Sequence, residues 1–374
     1  MDGDELYRGL QRHLDRMPVA YPATASGVEI RILKHLFTPE EARLALCLSA
    51  IPEPLATVRR RLKDEMSREQ LGQALDRMAA KGSIQRLPGK RGPLYGKLPL
   101  VFGMYESQVN RLTPAFERDV RAYMEEGFGA AIHTTRTPQM RTVPINKSIP
   151  VERAVASYDD IRRFVEASPG PFAALHCICR QGKGLTGESC QHTKERQNCL
   201  IFGAWATMVV EKAGARPVSK EEMLGLLEQA DQEGLVLQPQ NTREPSFVCS
   251  CCGCCCGILT TAKKLARPAD FFQTDFVAEV DPDTCQVCGT CGTRCQMDAI
   301  TSGDEPSKVA PERCIGCGLC VTTCPSGAAR LHKKDGRKPP PKDMGALYTT
   351  IFQERYGRLS ATMALAGHFL GRKF

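Results

Sequence analysis

The sequence contains no apolar run approaching 18 residues, so no stretch of it reads as a membrane span. Its opening, MDGDELYRGLQRHLDRM, is too polar for the apolar core of an export signal. Both absences point to a reducing, cytoplasmic setting in which a disulfide framework is not expected. No GxGxxG segment has the dinucleotide-binding context of a strand running directly into it and a helix opening from it, the string Gly182–Gly187 included, so NAD(P)H or flavin would have to be oxidised by a partner. The formal charge of +8 over 374 residues is modest and makes a weak case for nucleic acid. With 42% apolar and 25% charged residues, the composition is that of an ordinary globular chain with room for two or three domains.

What the chain has in excess is cysteine, 19 in all. Eight fall into two runs, Cys285, Cys288, Cys291, Cys295 and Cys314, Cys317, Cys320, Cys324, each spaced CxxCxxCxxxC, with Pro325 after the second. Steps of two residues can curl three sulfurs around one metal cube, and Gly289, Gly292, Gly316 and Gly318 allow close backbone approach. Zinc sites pair one CxxC with another and take four ligands, so the doubled run fits zinc poorly. The pattern resembles that of bacterial two-cluster ferredoxins. The resemblance implies two [4Fe-4S] clusters with crossed ligation: Cys285, Cys288, Cys291 and Cys324 for one, and Cys314, Cys317, Cys320 and Cys295 for the other. One departure is that Gln296 stands where the family usually has proline. The oxygen sensitivity of such centres suggests an anaerobic or microaerobic host.

The N-terminal third reads as helical. Leu6, Leu10 and Leu14 have helical spacing, followed by an apolar segment from Val28 to Phe37. Thr38-Pro39-Glu40-Glu41 is a capping box that opens a helix through about Ser49, a second helix spans about Leu55 to Lys63, and Ser67 with Gln70 opens a third, closed by Gly82. Two short strands around LPGKRGPLYG follow, which is the order of a winged helix-turn-helix. Arg59, Arg60, Arg61, Lys63, Arg68, Arg77, Lys81, Lys90 and Arg91 invite a DNA-binding reading. Glu69 and Asp76 interrupt the third helix, however, and phosphate neutralisation needs a continuous basic footprint, so docking or scaffolding is favoured. Cys47, alone among leucines and alanine, reads as a small buried hydrophobe.

Ten cysteines lie between Cys177 and Cys256, enough thiolates for two further clusters and too few for three. A helix from Thr113 to about Glu126 and another from Tyr158 to Ala167 precede a buried strand, Phe172 to Ile178, which runs into Cys177-Ile178-Cys179-Arg180. Cys177 and Cys179, on alternate positions of an extended segment, share a face, and with Cys190 and Cys199 they make a first group of four. Cys199 would open an apolar helix from Leu200 to Val210, whose N-terminal N–H groups favour a cluster's negative charge. Zinc and free thiols remain alternatives for this group. Ser219 and Glu222 cap a helix ending at Gly234, and a linker through Pro245 leads to Cys249, Cys251, Cys252, Cys254, Cys255 and Cys256. Adjacent cysteines in an extended chain point to opposite sides. Either part of that run serves a cluster and the rest are spectators, or the run is shared between clusters on its two sides. The two Cys-Cys-Gly units at Cys251 and Cys255 resemble the cysteine-rich motif of heterodisulfide-reductase catalytic subunits, without that family's long spacings. His176 and His192 read as structural histidines.

The last segment comprises a basic Pro-rich linker, Lys333 to Lys342, and an amphipathic helical tail, Met344 to Phe374, with Leu347, Ile351, Phe352, Leu359, Met363, Leu365 and Leu370 on its apolar side. That tail is expected to dock on the protein or a partner in preference to a membrane surface. The segment MPVAYPATASGVEIRILKHLFTPEEA, the CxCR element with its two later cysteines, and the CxCCxCCC run together resemble a group of 4Fe-4S binding proteins of anaerobic bacteria. The expected fold is α+β and multi-domain: a winged-helix-like module with its helical extension (1–112), a cysteine-rich α/β middle (113–258), a two-cluster ferredoxin fold (275–332) and the tail (343–374). The expected function is that of a polyferredoxin with two C-terminal [4Fe-4S] clusters and one or two more held by residues 177–256. It would exchange electrons with a redox partner or oxidoreductase complex, and DNA is not the expected partner. Rival readings are a redox-sensing winged-helix regulator and a reductase subunit with a catalytic cysteine-rich site. The Cys249–Cys256 run is expected beside the first ferredoxin cluster, with Asp275 to Asp281 as a strand of that module.

Overall fold

A computed structural model describes residues 3–63, 65–145, 148, 159–336, 339–369 and 373. The chain forms two compact units, Met1–Thr134 with Tyr348–Phe374, and Thr135–Leu347.

In the first unit, α1 (Gly3–Asp15) buries Leu6, Leu10 and Leu14, and α2 (Val28–Leu36) buries Ile32, Leu33 and Leu36. Both capping boxes form. Thr38 opens α3 (Pro39–Ala45) and Ser67 opens α5 (Arg68–Ala80), each side chain accepting from the backbone N–H three residues on. The α3 helix ends four residues before Ser49, where its chain turns to bury Leu48. Between them lie β1 (Glu53–Pro54) and α4 (Leu55–Arg61), and after α5 come β2 (Ile84–Leu87) and β3 (Leu94–Lys97), in a sheet of order β1-β3-β2. Gly82 turns the chain out of α5 at φ 73°, where a Cβ would meet that of Ser107 at 2.1 Å, so no larger residue fits.

The boundary between units falls after Thr134 and not at 112/113. The cause is α6 (Pro114–Tyr123), which packs on α2: Phe116 stacks on His35 at 4.2 Å, Arg31 pairs with Asp119 at 2.9 Å, and the Tyr123 hydroxyl donates to the Pro22 carbonyl. The tail is also two helices, Met344–Tyr356 and Arg358–Phe369, broken at Gly357 with φ 82°. Ile351 and Phe352 are buried and Arg355 donates to the Asp15 and Met17 carbonyls. Leu359 and Met363 are 74% and 59% exposed, so the expected apolar stripe does not continue inward at those two positions, and the Leu365 side chain and Leu370 lie outside what is described.

The second unit is built on a five-stranded antiparallel sheet of order β6-β4-β5-β8-β7, with β4 Phe172–Leu175, β5 Cys199–Phe202, β6 Arg216–Val218, β7 Val236–Pro239 and β8 Phe247–Cys251. Three sequence expectations are corrected here. The strand before the CxCR element stops at Leu175, and a helix, Ile178–Leu185, starts within that element. Cys199 begins a strand, with the helix following only at Gly203, so helix-terminal N–H groups do not serve it. The supposed linker after Gly234 contains β7, whose four residues are all buried. The ferredoxin-like segment adds β9 (Phe276–Val280) paired with β12 (Ala329–Lys333), and β10 (Ile300–Thr301) paired with β11 (Lys308–Val309). One apolar core joins this segment to the sheet, from Val143 and Leu200 through Leu259 to Phe276, Leu319 and Leu331. That continuity is why the middle region and the ferredoxin-like segment form a single unit.

Candidate metal centres

The two C-terminal runs fold back on each other. One cavity is lined by Cys285, Cys288, Cys291 and Cys324, the other by Cys295, Cys314, Cys317 and Cys320, so each takes three thiols from one run and the fourth from the other. The exchange follows from β9 pairing with β12, which closes the segment end to end and brings each run's last cysteine beside the opposite run. Backbone N–H groups point at the sulfurs: Ala278 donates to Cys314 at 3.3 Å, Ala299 to Cys295 at 3.2 Å and Ala329 to Cys324 at 3.3 Å. Such N–H···S contacts favour thiolate over thiol, and converging thiolates with amide donors are the donor set of an iron–sulfur group. Gly316, at φ 66°, is required by the fold itself, since a Cβ there would lie 2.3 Å from the Phe276 carbonyl oxygen.

The two cavities differ in depth. Cys288 and its neighbour Val287 are exposed, whereas Cys314 and Cys320 are buried. A hydrogen bond from Thr290 lowers the Cys288 pKa. Burial, and then the Cys314 and Cys295 sulfurs, push Cys320 up to about 12. Burial likewise raises the pKa of Cys295 and Cys317, and a bound cation would offset that cost by favouring their thiolates.

Residues 278–325 match the family model of the 4Fe-4S dicluster domain. No curated protein and no solved structure matches the chain. The dicluster match covers the crossed quartets and leaves the ten cysteines of the middle region without a family assignment.

Those ten do not group as their order suggested. Cys190 leaves Cys177, Cys179 and Cys199 and joins Cys252, Cys254 and Cys255, the four sulfurs lying within 4.8 Å of one another. Cys190 is 3.7 Å from Cys252 and 3.8 Å from Cys254, and Cys254 is 3.5 Å from both Cys252 and Cys255. Hydrogen bonds from Cys252 and Cys255 lower the Cys190 pKa, and the same bonds raise theirs. The remaining cysteines of the run, Cys249, Cys251 and Cys256, turn the other way, toward Cys199, Cys177 and Cys179. The alternation is that of a strand that ends in a turn: Cys249 and Cys251 share one face of β8, and the chain then curls through Gly253 before the helix Gly257–Lys263. The run is thus shared between its two sides.

Four residues acquire roles that the sequence reading did not give them. Arg180, 5% exposed, donates to the Ser250 carbonyl at 3.1 Å and approaches the Cys252 sulfur at 3.8 Å. Burial opposes its charge, but the Cys177 and Cys252 sulfurs outweigh that and raise its pKa. Lys183 donates to the Cys254 carbonyl at 2.8 Å. Gln296 accepts from the Gly253 N–H at 2.7 Å and donates to the Gly234 carbonyl at 2.8 Å, with its amide nitrogen 3.2 Å from His192 Nδ1. The residue that departs from the ferredoxin pattern is therefore the one that pins the cysteine-rich turn to the dicluster segment. Gln238, fully buried, is opposite Cys249 in the sheet. The CxCR spacing and the missing proline were the available signals for Arg180 and Gln296; nothing in the sequence marked Lys183 or Gln238.

Among the described residues, no helix is long and apolar enough to cross a membrane.

Proposed function

We propose that this chain is an iron–sulfur electron-transfer protein, a polyferredoxin that passes electrons to or from a partner oxidoreductase in anaerobic metabolism. The observation that carries this reading is the pair of crossed quartets, Cys285/Cys288/Cys291/Cys324 and Cys314/Cys317/Cys320/Cys295. A disulfide framework would pair these thiols two by two, whereas three thiols from one CxxCxxC loop with a fourth from the other run is the ligand set of a two-cube iron–sulfur site. When bound, such clusters supply one-electron redox chemistry. The Ala278, Ala299 and Ala329 amides would stabilise the more negative, reduced state.

A third centre is assigned to Cys190, Cys252, Cys254 and Cys255. Gly253, inside that group, is one hydrogen bond from Gln296, which is bonded to Cys295, so the third centre and the inner quartet lie on a continuous path. The exposed Cys288 edge then faces the partner. In the first unit, the order α3-β1-α4-α5-β2-β3 and the three-stranded sheet support a winged-helix module. Its α5 helix displays Glu69 and Asp76 beside Arg68 and Arg77, and Asp76 is engaged by Arg86 and Tyr95. That mixed face suits protein docking better than a phosphate backbone. Anaerobic purification with iron and sulfide analysis tests the proposal: at least about twelve irons per chain are expected from these three centres, and fewer than about eight, the content of two cubes, would refute it.

A further inference from the structure

Six cysteines remain once the quartets and the Cys190 group are set aside with Cys47, and they close on one another. Cys177 is in hydrogen-bonding reach of Cys179, Cys249 of both Cys199 and Cys251, and Cys251 of Cys256, whose charge in turn acts on Cys179. The sheet explains the convergence. Cys199 pairs with Cys249 across β5 and β8, and Cys249 pairs with Gln238 across β8 and β7. Directly opposite residues of antiparallel strands share a face, so Cys199, Cys249 and Gln238 stand in one row, with Cys251 two residues along the same face. Cys251 and Cys256 are buried, while Cys177, Cys179, Cys199 and Cys249 keep some accessible surface.

A second observation points to an occupant. Gln238 is fully buried, and neither its amide nitrogen nor its amide oxygen has a hydrogen-bond partner. An amide in that position calls for an acceptor on the cysteine face, since an unmade buried hydrogen bond is costly. Asn198 Nδ2, beside Cys199 in sequence, is likewise buried and unpartnered. A sulfide-bridged iron cluster carries acceptor sulfurs of its own beside the thiolates, so it offers these amides more partners than the four thiolates of a zinc site would. The Arg180 guanidinium, acting on Cys177 and Cys249 as well as on Cys190 and Cys252, supplies a buried positive charge between this face and the neighbouring group.

We propose that Cys177, Cys179, Cys199, Cys249, Cys251 and Cys256 form a fourth metal site, which takes a sulfide-bridged four-iron cluster on four of its thiols and receives a hydrogen bond from Gln238. The proposal rests on the iron–sulfur reading of the chain but makes a separate claim about iron count. Anaerobically purified full-length protein should carry about sixteen irons and matching sulfide. The double variant Cys249→Ser, Cys251→Ser should lose about four of each while the remainder stays bound. Gln238→Leu should keep the iron and shift the midpoint potential of one centre only.

The outcomes separate cleanly. About twelve irons in the wild-type chain, with Cys177, Cys179, Cys199 and Cys249 alkylated by brief iodoacetamide treatment, would overturn the fourth site and leave the other three standing. Zinc recovered in place of the last four irons would also overturn it. Fewer than about eight irons would instead sink the electron-transfer reading beneath it. The iron count and the alkylation map come from the wild-type chain, so misfolding of a variant does not protect the proposal.

Discussion

Replacing Gln296 with leucine isolates the contact that joins the cysteine-rich turn to the dicluster segment. Gln296 is 3% exposed, and its side chain makes hydrogen bonds to the Gly253 N–H at 2.7 Å and the Gly234 carbonyl at 2.8 Å, with a third at 3.2 Å to His192. Leucine preserves the bulk and removes all three, leaving at least one backbone donor and one acceptor without a partner. A lost hydrogen bond costs about 1 kcal/mol net, and a stranded buried group about 1–3 kcal/mol, so the second unit should be destabilised by about 2–4 kcal/mol. Gly253→Ala attacks the same contact from the other side, because the added Cβ would sit 2.5 Å from the Gln296 carbonyl oxygen. Its effect should not add fully to that of Gln296→Leu, since the two share one interaction. The assay is anaerobic denaturant unfolding followed by far-ultraviolet circular dichroism and by visible cluster absorbance, which reports the second unit alone. A Gln296→Leu midpoint corresponding to less than about 0.5 kcal/mol of change would refute the argument that this side chain holds the two parts together.

Cys295→Ser should abolish the spectroscopic signal of the centre formed with Cys314, Cys317 and Cys320 and spare the one beside it in sequence; loss of the Cys285 centre alone would contradict the crossed arrangement. Burial, with Arg16 and Lys373 nearby, lowers the pKa of Lys97 from its ordinary 10.5 to about 7. Between those values the unfolded chain holds a proton that the folded one does not, so the first unit should gain stability as pH rises from about 7 to about 10.5, by up to about 1.4 kcal/mol per pH unit. Lys97→Met should flatten that slope, as thermal melts across the range would reveal. In filter binding against random genomic fragments, retention should be weak and vanish as salt rises; tight, sequence-selective, redox-dependent binding would favour a regulator over an electron carrier.

Local chemistry was legible in the sequence wherever it depends on residues close in the chain. The capping boxes at Thr38 and Ser67, the strand at Phe276–Val280 and the doubled CxxCxxCxxxC all act over a few residues, so their spacing contains the information. Cys190 is different: its partners are more than sixty positions away, and only the order of strands in the sheet shows that it faces Cys252, Cys254 and Cys255 while Cys199 faces Cys249. The sequence also identified Gln296 as a departure without a reason, because the reason is Gly253, brought to it by the core shared between sheet and dicluster segment. Thiol count and the ferredoxin-type spacing were determined by sequence alone. Which of the middle cysteines meet was decided by the tertiary fold, since strand pairing sets the face that Cys199, Cys249 and Cys251 occupy and a one-residue change of register would send them to the opposite side.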